Sequence, residues 1–286
     1  MKIRKIVTLV LIIALAVSFA ACGGDKKADT ITIAIPNDAT NEGRALLLLQ
    51  ELGVIKLSES AGVTATVLDI VENPLGIEFK EVEAAQVPNA LQDVDYAIIN
   101  VNYALEAGLN PVEDGLFVEG SSSSYVNVIA VYEGNENTDK IKALVAAVQS
   151  QQIADYITTR YGGSVVAVAS PTTDGYDPTV DYDALLGTHI TVAASPTPHA
   201  EILAQAALIL AEKGIFLDII EYTDYVVPNN VVESKEVDAN YFQHIPYLEN
   251  FNEENGTHLV NAGGVHVEPM AIYGGKQETL DALTVK

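Results

Sequence analysis

The sequence predicts an α/β protein built as two lobes, and three observations carry that expectation. Short β-rich runs alternate with amphipathic helical segments, the pattern of proteins with mostly parallel strands. A polar, turn-rich stretch from Ala169 to Gly187 interrupts the alternation near the middle of the chain. Beyond that stretch the same alternation begins again.

In chain order, Ile31–Ile35 reads as a strand ended by Pro36-Asn37-Asp38. Arg44 to Leu52 reads as a helix stopped by Gly53. Thr64 to Val71 follows, and Asp95 to Asn100 is an apolar strand leading into Val101-Asn102-Tyr103-Ala104. Val126 to Tyr132 is another strand, and Asp139 to Tyr161 reads as one long helix closed by Gly162-Gly163. Past the linker come strand His189–Ala193, a helix over Glu201–Lys213 with Gly214 behind it, and strand Phe216–Glu221. Val265 to Tyr273 is the last strand-like run. Two such blocks predict a cleft between lobes, with a ligand at the carboxyl ends of strands.

The N-terminus has its own signature. Lys2, Arg4 and Lys5 precede an uncharged apolar run from Ile6 to Val17, then Ser18-Phe19-Ala20-Ala21-Cys22. A basic start, a short apolar stretch and small residues before a cut site make a secretory signal over residues 1–21. Ala20-Ala21-Cys22-Gly23-Gly24 resembles the lipobox of bacterial lipoproteins, except that Phe19 stands where those boxes usually carry Leu. The resemblance implies lipidation of Cys22 and a tether over residues 22–29 on the outer face of a membrane. Cys22 is the only cysteine, so no internal disulfide is possible.

Removing residues 1–21, which hold three basic and no acidic residues, takes the formal charge from −24 to −27. That charge argues against nucleic acid as a partner. With 49% hydrophobic residues the chain can bury a real core.

Longer motifs carry a further resemblance. Ala34–Gln50, Asp69–Pro74, Glu83–Gln86, Ile99–Ala104 and Tyr125–Val128 are similar to the methionine-binding lipoproteins of bacterial ABC importers, the NlpA type. Pro198–Leu203, Asp224–Asn229, Asp238–Leu248 and Glu268–Met270 match the same family. The resemblance implies a two-lobed, type II-like periplasmic-binding-protein fold that is no enzyme and takes no cofactor. It implies a lipid-anchored protein on the extracytoplasmic side of the cell membrane that passes methionine to an ABC permease and its ATPase. Another amino acid, a methionine-containing dipeptide, or an adhesion or signalling role are the alternatives.

The order of the blocks is reversed relative to that family: the part resembling His189–Thr284 normally precedes the part resembling Thr30–Val168. The chain is therefore expected to be a circular permutation. One lobe would hold residues 30–125 and 273–286, the other 126–168 and 188–272. Residues 169–187 would join the family's usual termini.

Arg44 is the most telling single position, a cation expected in the first turn of a helix, where the macrodipole disfavours it. It either pairs with a carboxylate such as Glu42, extends into solvent, or holds a ligand carboxylate with two hydrogen bonds. The resemblance implies the last, because the family's Asn-x-x-Arg falls on Asn41–Arg44. Asn100, Asn102 and Asn127 punctuate apolar strands, where a buried amide needs partners. Each could tie down a turn, or bind a ligand's ammonium and carboxylate; family similarity implies binding for Asn100 and Asn127, and less so for Asn102. Six of the 19 aromatic residues fall between Tyr222 and Phe251. Tyr241 and Phe251 read as core, whereas Tyr225, Phe242, His244 and Tyr247 fall on the family's side-chain pocket. A thioether suits such a pocket.

A metal site is not expected. His244, His258 and His266 lie close in sequence, but no His-x-His, Cys or acidic–histidine cluster accompanies them. Ser121–Ser124 lacks the setting of a nucleophile, and neither Gly162-Gly163 nor Gly274-Gly275 resembles a phosphate loop.

Overall fold

The computed structural model describes residues 30–120, 124–168 and 174–285. The signal, Cys22 and the tether lie outside these residues, as does the start of the linker. Among the described residues no helix is long and apolar enough to cross a membrane.

The alternation read from sequence becomes two sheets. In the first half of the chain, β1 (Thr32–Pro36) leads to α1 (Ala39–Glu51), a small β2–β3 pair (Lys56–Leu57, Ile70–Glu72) and β4 (Glu78–Val82). Then come α2 (Val87–Ala90), β5 (Tyr96–Ile99), α3 (Val101–Glu106) and β6 (Gly115–Val118). Next are β7 (Val126–Tyr132), α4 (Asp139–Val148), α5 (Gln151–Tyr161) and β8 (Val166–Ala167). Past the linker stand β9 (His189–Ala194), a single wide turn at Pro196–Ala200, α6 (Glu201–Ala211) and β10 (Phe216–Glu221). The chain closes with α7 (Val227–Glu233), β11 (Ala239–His244), α8 (Ile245–Asn255), β12 (Leu259–Val267) and β13 (Ala271–Gly274).

The first sheet has the order β4-β1-β5-β13-β6, with β1 parallel to β4 and β5 and β13 antiparallel to β5 and β6. The second has the order β10-β9-β11-β7-β12-β8, with β9 parallel to β10 and β11 and β7 antiparallel to β11 and β12. Each sheet thus sets three parallel strands beside one antiparallel strand, and each packs its own apolar core. The chain passes between sheets twice. One passage precedes β7, at the boundary expected near residue 125. The other falls between Val267 and Ala271, slightly before the expected 272/273, because Ala271 and Ile272 pair with Ile99 and Ile98 in the first sheet.

Three elements differ from the sequence expectation. Helix α1 starts at Ala39, not Arg44, because the Asp38 side chain caps it by accepting from the Asn41 N–H. Arg44 therefore stands in the second turn, and the argument from the macrodipole's first turn does not apply to it. The expected helix Asp139–Tyr161 is two helices: Gln149 leaves the helical region and Ser150 is extended, its side chain capping α5 at Ile153. The run Val265–Tyr273 is split between β12 and β13, and so between the two sheets.

Gly43 explains how α1 can lie so close to its neighbour. A Cβ there would come within 2.3 Å of the Val63 carbonyl oxygen. Any side chain would push the helix, with Asn41 and Arg44 on it, away from the loop below.

The described part of the linker is docked on the second sheet's core: Val180 is buried there, Tyr182 and Leu185 pack beside it, and Tyr176 donates to the Ile209 carbonyl. The two ends of the described chain meet elsewhere. Ile31, Leu280, Ala282 and Leu283 share one cluster with Ile33 and Tyr96 in the first lobe.

Candidate functional site

Between the two sheets lies a narrow cavity lined by Asn41, Arg44, Asn100, Asn127, Tyr225, Phe242, His244 and Tyr247, with Val101, Asn102, Gln243 and Glu268. All eight binding residues expected from sequence line this one space. Both lobes contribute: α1 and the β5–α3 junction from one side, β7, β11 and α8 from the other.

The polar wall is built from amides whose orientation the hydrogen bonds settle. Asn41 Nδ2 donates to Asp38, while Asn41 Oδ1 accepts from Asn100 Nδ2 (2.8 Å) and His244 Nε2 (3.2 Å). That leaves Asn100 Oδ1 buried with no partner. Asn102 Oδ1 accepts from the Tyr225 hydroxyl at 2.6 Å, which leaves Asn102 Nδ2 buried without one. Asn127 Oδ1 accepts from His199 Nε2 at 3.0 Å, and its Nδ2 makes no bond among the described residues. Unmade hydrogen bonds on buried amides cost about 1–3 kcal/mol each, so these atoms are poised for an occupant.

Arg44 is 4% exposed and already paired. Its Nε and Nη2 donate to the two Glu119 carboxylate oxygens, Nη2 also donates to the Glu268 carbonyl, and the guanidinium lies 4.3 Å from the centre of the Tyr125 ring. The carboxylate it pairs with is neither Glu42 nor solvent's substitute for one; Glu42 instead accepts from the Val67 N–H. Only the Nη1 edge of Arg44 makes no bond among the described residues.

The opposite wall is aromatic. Tyr225 touches the rings of Tyr103, Phe242 and Tyr247, and Tyr247 touches those of Phe242, His244 and Phe251. These groups are electrically neutral. Burial pushes the Tyr225 and Tyr247 hydroxyls far up, and burial together with the nearby Arg44 pushes His244 well down. The His244 proton sits on Nε2, because Nδ1 accepts the Tyr247 N–H and caps α8. Tyr241 and Phe251 are core residues, as expected.

The fold also assembles what the sequence concealed. His199, His266 and Glu268 bring three ligand atoms within 4.8 Å of one another, an acidic–histidine cluster that sequence spacing had argued against. His199 comes from the turn after β9, and His266 and Glu268 from the end of β12, so 67 positions separate the two histidines. His-Val-Glu at 266–268 was the only local signal. Both imidazole Nε2 atoms, however, are already engaged, His199 with Asn127 Oδ1 and His266 with Glu268 Oε1.

The geometry can be compared with known proteins. The family model described as NlpA lipoprotein matches residues 26–169 and 190–286. A D-methionine-binding lipoprotein from Yersinia pestis is 46% identical over 136 residues, which is 47% of this chain and 50% of that protein. The Escherichia coli K12 protein of the same description is 43% identical over 144 residues, 50% of this chain and 53% of its own length. The chain thus spans about half the length of the curated relatives it matches. Among solved structures, a nutrient binding protein from Burkholderia cenocepacia bound to methionine is 46% identical, with a TM-score of 0.47 over 49% of this chain and 61% of that one.

Proposed function

Because the chain belongs to the NlpA lipoprotein family, we propose that it is an extracytoplasmic substrate-binding protein that captures methionine and hands it to an ABC permease. The observation that carries this reading is the set of hydrogen bonds left unmade in the cavity. Asn100 Oδ1 is an acceptor suited to an ammonium group; Asn102 Nδ2, Asn127 Nδ2 and Arg44 Nη1 are donors suited to a carboxylate. An α-amino acid carries both groups on one carbon. The neutral aromatic wall suits an uncharged side chain, and a thioether gains about 0.3–1.5 kcal/mol at an aromatic edge. The relatives described as D-methionine-binding lipoproteins favour methionine.

Calorimetry on residues 30–286 tests it. Methionine is expected to bind, with norleucine weaker by up to about tenfold from the lost sulfur contacts. Absence of methionine binding, or equal binding of all apolar amino acids, would sink the reading.

The anchor belongs to the same proposal. Cys22→Ser is expected to release the full chain from the membrane fraction with ligand binding intact. A variant that stays with membranes after a high-salt wash would mean that Cys22 is not the anchor.

The reversed order of halves is supported by two findings. The family model matches in two segments whose gap, residues 170–189, overlaps the linker, and each of the two relatives aligns over about half of both chains. A chain that begins at residue 188, joins 284 to 30 through a short loop and ends at 168 is expected to fold and bind methionine like the original. Such joining is tolerated where ends are close, as Ile31 and Leu283 are. A rejoined chain that fails to fold would contradict the permutation.

A further inference from the structure

Under the polar wall runs a buried chain of groups that ligand contact alone does not require. The Tyr241 hydroxyl and His266 Nδ1 share a hydrogen bond of 2.5 Å, and His266 Nε2, which faces a carboxylate, donates to Glu268 Oε1 at 2.7 Å. Glu268 Oε2 accepts the Asn102 backbone N–H at 3.1 Å, and the Glu268 carbonyl accepts from Arg44 Nη2. His199 Nε2 faces two acceptors, Glu268 Oε1 at 3.2 Å and Asn127 Oδ1 at 3.0 Å. Its other nitrogen, Nδ1, is buried with no partner, as suits a neutral ring with its proton on Nε2.

The consequence concerns direction. An amide can present either its oxygen or its nitrogen to a cavity, and the difference decides which ligand end it tolerates. The His199 N–H claims the oxygen of Asn127 and so turns the NH2 toward the occupant. The carboxylate of Glu268 keeps the His199 proton on the nitrogen that faces Asn127. The same carboxylate fixes the start of α3, which carries Asn102, whose oxygen Tyr225 claims. Its own carbonyl indexes Arg44. Every donor assigned above to a ligand carboxylate is therefore set, directly or through one neighbour, by Glu268.

We infer that Glu268 and His199 are positioning residues that turn the cavity's donors inward, so that the site selects a free carboxylate over a carboxamide at that end of the ligand. The inference rests on the amino-acid reading given above and goes beyond it in naming what sets the selectivity. The alternative use of the trio as a cation site competes poorly, because His266 has both ring nitrogens engaged, with Tyr241 and Glu268, and His199 Nε2 is engaged with Asn127 Oδ1.

Three chains test it: the wild type, His199→Phe and His199→Gln, each titrated with methionine and with methioninamide. The wild type is expected to prefer methionine strongly. His199→Phe frees Asn127 to turn, and the preference should shrink by about ten- to a hundredfold, the worth of one hydrogen bond to a charged group. Glutamine can still donate to Asn127 Oδ1, so His199→Gln should recover most of the preference. A preference unchanged in His199→Phe, or lost equally in both variants, overturns the inference while leaving methionine binding standing. A wild type that binds neither compound instead defeats the amino-acid reading, and the inference with it. Nitrogen-15 NMR of the wild-type histidines, which needs no variant to fold, should find His199 protonated on Nε2 alone. A proton on His199 Nδ1 overturns the inference, as does tight zinc binding that abolishes methionine affinity.

Discussion

Arg44→Ala is expected to lower stability by about 3–5 kcal/mol, the cost of stranding one partner of a buried ion pair. The variant removes both donors from the Glu119 carboxylate, one donor from the Glu268 carbonyl and the cation from the face of Tyr125. Glu119 keeps 15% of its side chain exposed, so water can partly replace the lost donors and the lower end of that range is the better guide. Methionine affinity should fall as well, by about 1.5–3 kcal/mol, if Nη1 meets the ligand carboxylate. The two effects separate in the double variant Arg44→Met with Glu119→Leu. Replacing a buried pair by apolar side chains is often close to neutral for stability. The double variant should therefore regain stability in urea unfolding without regaining affinity in calorimetry. Recovery of affinity along with stability would mean that Arg44 only supports the wall.

The second large effect is set by pH. Burial lowers His199 to about 3, outweighing the attraction of the neighbouring Glu268, and burial with Arg44 lowers His244 well below its ordinary value. In the unfolded chain both rings titrate near 6.5. A depressed histidine costs nothing above that value. The cost grows as pH falls below it, because only the unfolded state takes up the proton, and it levels off near the folded value. At pH 5 His199 alone should remove about 2 kcal/mol of stability, with His244 acting in the same direction. Asp38, Glu42 and Glu106, whose carboxyls burial raises, act in the opposite direction. The comparison must therefore be made between variants. Between pH 7.5 and pH 5, urea unfolding should show the wild type losing about 2 kcal/mol more than His199→Gln. Equal losses would mean that His199 is already charged in the folded chain.

How much of this was legible depends on how far apart the partners lie. The strands at 32–36, 126–132 and 189–194 are short apolar runs bounded by turn residues, and local pattern suffices for them. The eight residues expected to bind a ligand are named through long motifs that resemble a family, and all eight line one cavity. What failed to show was pairing at a distance. Arg44 announces a carboxylate partner, but nothing local points to Glu119, 75 positions away. His199 and Glu268 are ordinary residues in sequence and become a unit only when β12 pairs with β7, which sets His266 opposite Asn127. Element boundaries failed for a different reason. Asp38 and Ser150 cap helices from positions where a propensity argument sees only polar residues, so the start of α1 and the break between α4 and α5 were both misplaced.

The lobes are latched across the cavity by Asn41 to His244, by the Tyr225 hydroxyl to Asn102 and by the Tyr103 hydroxyl to the Thr223 carbonyl. Each latch joins groups on opposite lobes, so an enclosed molecule leaves only when the latches let go together. Release therefore costs these three bonds on top of the contacts that the enclosed molecule makes itself. Two ligands of different affinity are then expected to differ chiefly in dissociation rate, each slowed further by the shared cost of breaking the latches. The latches thus set a common floor to residence time, and the enclosed molecule's own contacts set how far above that floor each ligand stays.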